Sequence, residues 1–189
     1  SFTASGNTAS GLVLNARALL TISSGGVASA TQLNSGTEFV LSGGTDSAAV
    51  INAGGLQQVS SGGVVSAVQV NSGGAQIIYN GGSASGTQIN SGGNQYLSSG
   101  ALTTGTQIKS GGAQSVYSGA VVSDATVSSG GTENLLNAGV ASGIVINGGG
   151  TQAVYSGGSA VGTIVNSGGL LTLNGVGGSA TAIRISSGG

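Results

Sequence analysis

The feature that most constrains the fold of this chain is a 19-residue repeat that runs through almost all of its 189 residues. Complete units begin near residues 15, 34, 52, 71, 90, 109, 128, 147 and 166. A typical unit opens with Asn-Ser-Gly-Gly, carries a second Ser-Gly-Gly at positions 10–12, and ends on an aliphatic residue at position 19. A fixed period of this length is typical of a solenoid, in which each unit forms one coil that stacks on its neighbours.

The apolar residues keep fixed positions within the unit, which indicates short strands rather than helices. Positions 8 and 19 are aliphatic in all nine complete units, as at Ile78 and Ile89, and position 14 is mostly small. Positions 17 and 19 have the same parity and point to one face of a strand, whereas the mostly polar position 18 points away. We therefore expect strands at positions 5–9 and 17–19. A weaker strand is expected at positions 13–15, with corners at the glycine pairs, where positive φ is required.

This pattern predicts an all-β fold, a single-stranded parallel β-helix of about ten coils of 19 residues. We expect residues 1–189 to form one such solenoid domain. At the usual interstrand spacing of about 4.8 Å, ten coils give a rod about 45–50 Å long. Because both ends cut through the repeat, we expect the chain to be a fragment of a longer exported passenger.

Position 6 carries a polar residue although it shares the parity of the aliphatic position 8. The residues at this position include Gln57, Gln76, Gln95, Gln114, Glu133 and Gln152. Such side chains either lie at a corner or form an amide ladder that runs up the stack. We favour a structural ladder over a ligand site.

The composition argues against several classes of function. The chain has no Cys and no His, which removes thiolate metal sites, the commonest zinc ligand and the commonest general base. We therefore expect no metal and no cofactor. Three cationic residues cannot hold a polyanion, which argues against nucleic-acid binding. No aliphatic run approaches about 18 residues, so we expect no membrane insertion by this segment.

The acidic residues do not form a recognisable catalytic pair. They are Glu38, Asp46, Asp124 and Glu133. Some β-helices cleave polysaccharides with paired carboxylates, but no pair here is both close and placed beside a basic partner. We therefore expect no enzymatic activity. A calcium-binding roll is also rejected, because its Gly-Gly-x-Gly-x-Asp spacing does not recur.

Several stretches resemble the AIDA-type, TibA-like repeats of self-associating bacterial autotransporter adhesins. They are residues 71–76, 90–95 and 109–114, with Ser-Gly-Gly-x-Gln in common, and residues 155–159, Tyr-Ser-Gly-Gly-Ser. The resemblance covers nearly the whole chain. It implies a right-handed β-helix that type V secretion carries to the outer surface of the bacterium, or that is secreted. It also implies binding to a host-cell receptor or glycan, self-association between cells, biofilm formation and virulence.

The same resemblance implies O-heptosylation of serines by a heptosyltransferase, which leaves covalent heptose as the only added group. No Asn-x-Ser/Thr sequon occurs, which favours a hydroxyl-linked sugar over an amide-linked one. Two turn positions offer candidate acceptors beside flexible glycines, although serine also simply suits a tight turn. The candidates at position 2 are Ser35, Ser72, Ser91, Ser110, Ser129 and Ser167. The candidates at position 10 are Ser24, Ser42, Ser61, Ser99, Ser118 and Ser156.

Three tyrosines, Tyr79, Tyr117 and Tyr155, fall at position 9 at intervals of 38 residues. On every second coil they would form a contact row with a spacing of about 10 Å. Such a row stacks on sugar rings or on another protein. The alternative is three unrelated surface aromatics that β-propensity favours.

Two alternatives to adhesion stay open. The first is a passive β-helical stalk that presents another domain. The second is an ice-binding solenoid, because threonines recur at position 17, although that column is expected to face inward. The residues are Thr31, Thr87, Thr106 and Thr163.

Overall fold

The computed structural model describes residues 1–188, and these residues form thirty short β-strands. The strands build three parallel sheets of ten strands each, and every coil contributes one strand to each sheet. This architecture confirms the predicted parallel β-helix of about ten coils. In the described part of the chain, no helix is long and apolar enough to cross a membrane.

Each sheet takes every third strand of the chain. The first sheet contains β1 (Phe2–Ser5), β4 (Leu19–Ser23), β7 (Thr37–Val40), β10 (Leu56–Val59), β13 (Ala75–Ile78), β16 (Asn94–Leu97), β19 (Ala113–Val116), β22 (Thr132–Leu135), β25 (Thr151–Val154) and β28 (Leu170–Leu173). The second contains β2 (Thr8–Ser10), β5 (Val27–Ser29), β8 (Thr45–Ser47), β11 (Val64–Ser66), β14 (Ser83–Ser85), β17 (Leu102–Thr104), β20 (Val121–Ser123), β23 (Val140–Ser142), β26 (Ser159–Val161) and β29 (Ser179–Thr181). The third contains β3 (Val13–Leu14), β6 (Gln32–Leu33), β9 (Val50–Ile51), β12 (Gln69–Val70), β15 (Gln88–Ile89), β18 (Gln107–Ile108), β21 (Thr126–Val127), β24 (Val145–Ile146), β27 (Ile164–Val165) and β30 (Arg184–Ile185).

Equivalent repeat positions lie directly above one another. Gln76 pairs with Gln95, and Ile78 pairs with Leu97, in the ladder between β13 and β16. The unit at residue 34, which is one residue short, keeps this register, because Leu20 still pairs with Glu38. The missing residue is therefore absorbed in a turn, and every column of side chains continues through it.

The core is one continuous column of inward-facing side chains. Positions 8 and 19 are buried in every complete unit but the last, as at Ile78 and Ile89, and so are most residues at positions 14 and 17. In the last unit, Leu173 and Ile185 are 55 and 68% exposed. The buried residues of successive coils form a single apolar cluster. Burying one such aliphatic side chain contributes about 1.5–3 kcal/mol, and each coil shares this burial with both neighbours.

The two glycines of each pair are required for different reasons. Gly73 has a φ of 72°, in the left-handed region that disfavours side chains. Gly74 has an ordinary φ, but an added Cβ would lie 2.5 Å from the carbonyl oxygen of Ile51 in the preceding coil. The first glycine therefore turns the chain, and the second lets successive coils approach to strand-pairing distance.

The third corner differs from the expectation that glycine pairs form the corners. It lies at position 16, where a single left-handed residue turns the chain, and this residue is often not glycine. Ala67 has a φ of 53° and Asp124 a φ of 54°. Because the turn ends there, the third strand covers only positions 18–19 rather than 17–19. The strand at positions 13–15 forms in all ten coils, since backbone pairing on both sides compensates for its small side chains.

Candidate functional site

The two rows of candidate serines lie on the outside of the rod. All twelve serines at positions 2 and 10 are exposed and lie in turns or bends. Within residues 1–188, only the Ser35 hydroxyl among them donates a hydrogen bond, to the carbonyl oxygen of Ala53 at 3.0 Å. The rows therefore present hydroxyl groups that solvent and large molecules can reach.

Most serines of these rows pack against a glycine of the next coil, whereas Ser118 has Ala138 at the equivalent position of the next coil. An added Cβ on Gly92 would lie 2.7 Å from Oγ of Ser72, and one on Gly111 would lie 2.7 Å from Oγ of Ser91. At position 10, Ser61 has the same relationship with Gly81. The left-handed glycine thus provides room for the serine below it, which explains why Ser-Gly recurs as a pair along the rod.

The three candidate tyrosines also lie on the outside and are aligned. Tyr79, Tyr117 and Tyr155 are 38, 38 and 36% exposed. Each directly follows a strand of the first sheet, and Ser98 and Leu136 occupy the same position in the coils between them. The geometry places them in one row on alternate coils, and their role in binding stays a prediction.

A shallow groove on the second sheet was not predicted from the sequence. It has a volume of about 320 Å³ and is lined by Val64, Ser83, Ser85, Leu102, Thr104 and Val121. Val64 and Leu102 are 46 and 53% exposed, and they project on either side of the small Ser83. The alternation of large and small residues at position 13 is the sequence signal that could have located it.

The polar residues at position 6 form the predicted amide ladder inside the rod. Gln57, Gln76, Gln95 and Gln114 are fully buried. Nε2 of Gln76 donates to Oε1 of Gln57 at 2.7 Å, and Nε2 of Gln95 donates to Oε1 of Gln76 at 2.6 Å. None of these side chains reaches the surface, so they stabilise the core and are not available to a ligand.

A second amide ladder runs along position 1 and was not predicted. Nδ2 of Asn71 donates to Oδ1 of Asn52 at 2.9 Å, and Nδ2 of Asn90 donates to Oδ1 of Asn71 at 2.7 Å. At the next coil Lys109 takes this position, and its Nζ donates instead to Oε1 of Gln88 at 2.6 Å. The recurrence of Asn at the start of each unit was the available signal.

Two of the acidic residues are closer to each other than the sequence suggested. Nε2 of Gln57 donates to Oε1 of Glu38 and to Oδ2 of Asp46, both at 2.8 Å. Burial, and then the charge of Asp46, raise the pKa of Glu38, and burial raises the pKa of Asp46. Both carboxyls are essentially inaccessible, so a polysaccharide cannot reach them.

The threonine column at position 17 faces inward, as expected. Thr87 and Thr163 are fully buried and Thr106 is 1% exposed. Oγ1 of Thr163 donates to Oε1 of Gln152 at 3.1 Å, which ties this column to the glutamine ladder. A buried column cannot order water at an ice surface, so this candidate ice-binding surface is absent from the outside of the rod.

Comparison with known proteins places these features in context. The profile of the family described as "Adhesin of bacterial autotransporter system, probable stalk" matches residues 58–112. Among solved structures, the chain is similar to a TibA fragment whose hyper-glycosylation was catalysed by TibC. The two share 35% identity and a TM-score of 0.61, over 100% of this chain and 89% of the TibA fragment. A comparison with curated proteins gives no match.

Proposed function

Because the chain belongs to the AIDA-type family of bacterial autotransporter adhesins, we propose that it is a surface-exposed passenger that mediates adhesion and aggregation of cells. The observation that carries this proposal is the separation of an apolar interior from a surface with recurring polar and aromatic groups. Its aliphatic column is internal, whereas serine hydroxyls and tyrosine rings recur along the outside. Weak contacts that recur along two rods sum to useful avidity. A net charge of −1 leaves little repulsion between them.

The tyrosine row gives a direct test of this proposal. Bacteria that display the chain are expected to settle together in still culture. Substituting Tyr79, Tyr117 and Tyr155 by Ser should slow settling several-fold, because stacking surfaces are lost on three coils. Leu102→Ser is the control, since Leu102 is 53% exposed and lies on the second sheet. Equal settling by the triple variant and the parent would contradict a role for the row.

We propose further that a heptosyltransferase modifies exposed serines at positions 2 and 10. Two observations support this: the twelve hydroxyls are exposed, and the similar TibA fragment is hyper-glycosylated. The intact mass of the chain should rise by whole heptose residues when it is produced with such an enzyme. Alanine at the six position-2 serines, compared with alanine at the six position-10 serines, assigns the increase to a row. An unchanged mass with an enzyme that modifies a control adhesin contradicts the proposal.

A passive stalk is the second candidate, and the description of the matching family as a "probable stalk" favours it. Deleting residues 71–108 removes two complete units and brings Gln57 next to Gln114 in the interior ladder. If the rod is a passive stalk, this deletion should preserve the activity of a distal domain and only shorten the distance at which that domain is held from the cell. An adhesive rod should instead lose aggregation as units are removed, even with no distal domain present.

We place the rod on the outer face of the bacterial envelope. Family membership supports this location, and a host-cell receptor or glycan and a second rod are the proposed partners. Protease added to intact cells should release the rod if it is exposed. Retention of the full-length chain on intact cells, with cleavage only after lysis, contradicts surface exposure.

A further inference from the structure

The interior glutamine ladder has a direction. At each step from Gln57 to Gln114, the amide nitrogen of the later coil donates to the amide oxygen of the earlier coil. Every amide in this run therefore uses Nε2 toward the start of the chain and Oε1 toward its end. Nε2 of Gln57 therefore needs an acceptor on the preceding coil, and Oε1 of Gln114 needs a donor on the following coil.

At the Gln114 end of the ladder, no amide supplies this donor. Oε1 of Gln114 is buried and has no hydrogen-bond partner. The residue that pairs with it on the next coil is Glu133, which is fully buried. Oε2 of Glu133 accepts a hydrogen bond from Nε2 of Gln152 at 2.6 Å, whereas its Oε1 has no partner. Two acceptor oxygens on adjacent coils are thus left without a hydrogen between them.

A single proton satisfies both atoms. A buried acceptor without a donor destabilises the fold, and a buried unpaired carboxylate destabilises it more. A protonated carboxyl supplies one O–H donor and keeps an oxygen that accepts. We infer that Glu133 is a buried carboxylic acid, neutral near pH 6, whose hydroxyl donates to Oε1 of Gln114. This hydrogen bond joins the amide run and Gln152 into one continuous chain from Glu38 to Thr163.

The lower end of the run presents the opposite environment. There Nε2 of Gln57 points at Glu38 and Asp46, so the positive end of the aligned amides faces two carboxyls. At the upper end the oxygen of Gln114 faces Glu133. Aligned hydrogen bonds polarise one another in a dry interior. The ladder therefore favours a proton at Glu133, whereas the hydrogen bond from Gln57 opposes the burial that raises the pKa of Glu38.

No charged group in the described chain compensates Glu133. The facing strands β19 and β25 present Gln114 and Gln152 to it, and the other inward residues of its own coil, such as Ala141 and Ile144, are apolar. Burial raises the pKa of Glu133 from 4.5 to about 7, and the hydrogen bond from Gln152 opposes this shift only partly. The unpaired acceptor oxygens and the burial of Glu133 therefore both favour the protonated carboxyl.

The consequence is a rod that acid stabilises. The folded form holds a proton that the unfolded form releases above pH 4.5, so this stability is complete below pH 4.5 and is lost as the pH rises to about 7. Across that window Glu133 alone should raise the unfolding equilibrium constant roughly 100-fold, since each pKa unit corresponds to about a factor of ten. The raised pKa values of Glu38 and Asp46 act in the same direction. Many proteins behave in the opposite way, because their paired carboxylates lose contacts in acid.

The chain allows this proton to be observed directly, because Glu38 and Glu133 are its only glutamates. We would label glutamate with ¹³C at the side-chain carboxyl, follow both signals by NMR from pH 3 to pH 9, and assign them with Glu38→Gln. The expected Glu133 signal stays that of a carboxylic acid at pH 6 and titrates near pH 7. A Glu133 signal that titrates at the ordinary value near 4.5 in the folded chain overturns the inference.

Two variants give an independent test. Glu133→Gln keeps a donor toward Gln114 and an acceptor toward Gln152, so it should raise the thermal midpoint at pH 8 and leave it unchanged at pH 4. Glu133→Leu removes the donor and the acceptor, so it should lower the midpoint at both pH values. If Glu133→Gln lowers the midpoint at both pH values as Glu133→Leu does, Glu133 is not the donor in this chain.

Discussion

Oγ of Ser72 lies over Gly92 of the next coil, so close that an added Cβ on Gly92 would be 2.7 Å from it. The same contact recurs between Ser91 and Gly111. Gly92, which the sequence assigns to a turn, therefore has a second role, because it also leaves room for the Ser72 side chain one coil away. This relationship can be tested by substitution.

Gly92→Ala should be more destabilising than an equivalent change at a left-handed glycine with open space around it. The variant incurs left-handed strain of about 1–2 kcal/mol and must also displace the exposed Ser72 side chain, for which an unfavourable rotamer costs about 0.5–1.5 kcal/mol. Gly86→Ala is the control, because Gly86 has a φ of 62° and its added Cβ would meet nothing closer than 3.9 Å. Urea unfolding of both variants measures the difference. The clash is disproved if Gly92→Ala costs no more than Gly86→Ala.

Ala67→Gly should stabilise the rod, which is unusual for a substitution to glycine. Ala67 has a φ of 53°, and relief of its strain exceeds the added entropy cost of glycine by about 0.5–1 kcal/mol. Ala84→Gly, at a buried strand position in the next coil, should destabilise. Thermal unfolding compares the two variants. A lower midpoint for Ala67→Gly would show that its conformation carries no strain.

Gln95→Leu should destabilise the rod although the side chain is buried and the replacement is apolar. It removes the donor to Gln76 and the acceptor for Gln114, and each orphaned buried group costs about 1–3 kcal/mol. Ser115→Leu, on the outward face of the adjacent strand β19, is the control and should change stability little. Equal unfolding midpoints for the two variants would mean that the ladder contributes no net stability.

Deletion of residues 71–108 should leave a folded rod that is shorter by about 10 Å, the rise of two coils. The remaining coils keep their register, because the same positions meet across the new junction. Small-angle scattering measures the length, and circular dichroism measures the strand content per residue. A loss of strand content per residue would show that the coils are not interchangeable stacking units.

Much of this fold is predictable because the same constraint is repeated in every coil. Ile78 and Ile89 fix which positions face inward, and a polar residue at an inward position, such as Gln76, then has only the neighbouring coil's amide as a partner. The outward placement of Tyr79 follows from the same parity, whereas Ser72 is exposed because it lies in a turn. These features depend on the period alone.

The remaining features depend on contacts that the period does not encode. Ala67 gives no sequence signal for positive φ, so the third corner was missed. Glu38 and Asp46 are eight residues apart in the sequence, and they meet only because the corner at Gly43 turns the chain so that both side chains face the interior. The groove at Ser83 depends on the larger side chains of Val64 and Leu102, which lie on the two coils that flank the coil of Ser83.

Self-association of the rod is tested most directly with beads that carry only this chain, because no distal domain is then present. Beads coated with the chain should cluster over minutes, and an excess of free chain should disperse them. Clustering should slow when Tyr79, Tyr117 and Tyr155 are replaced by Ser, and Leu102→Ser should leave it unchanged. Beads that stay dispersed at every coating density, with and without heptose on the chain, would contradict an adhesive rod and leave the stalk as its function.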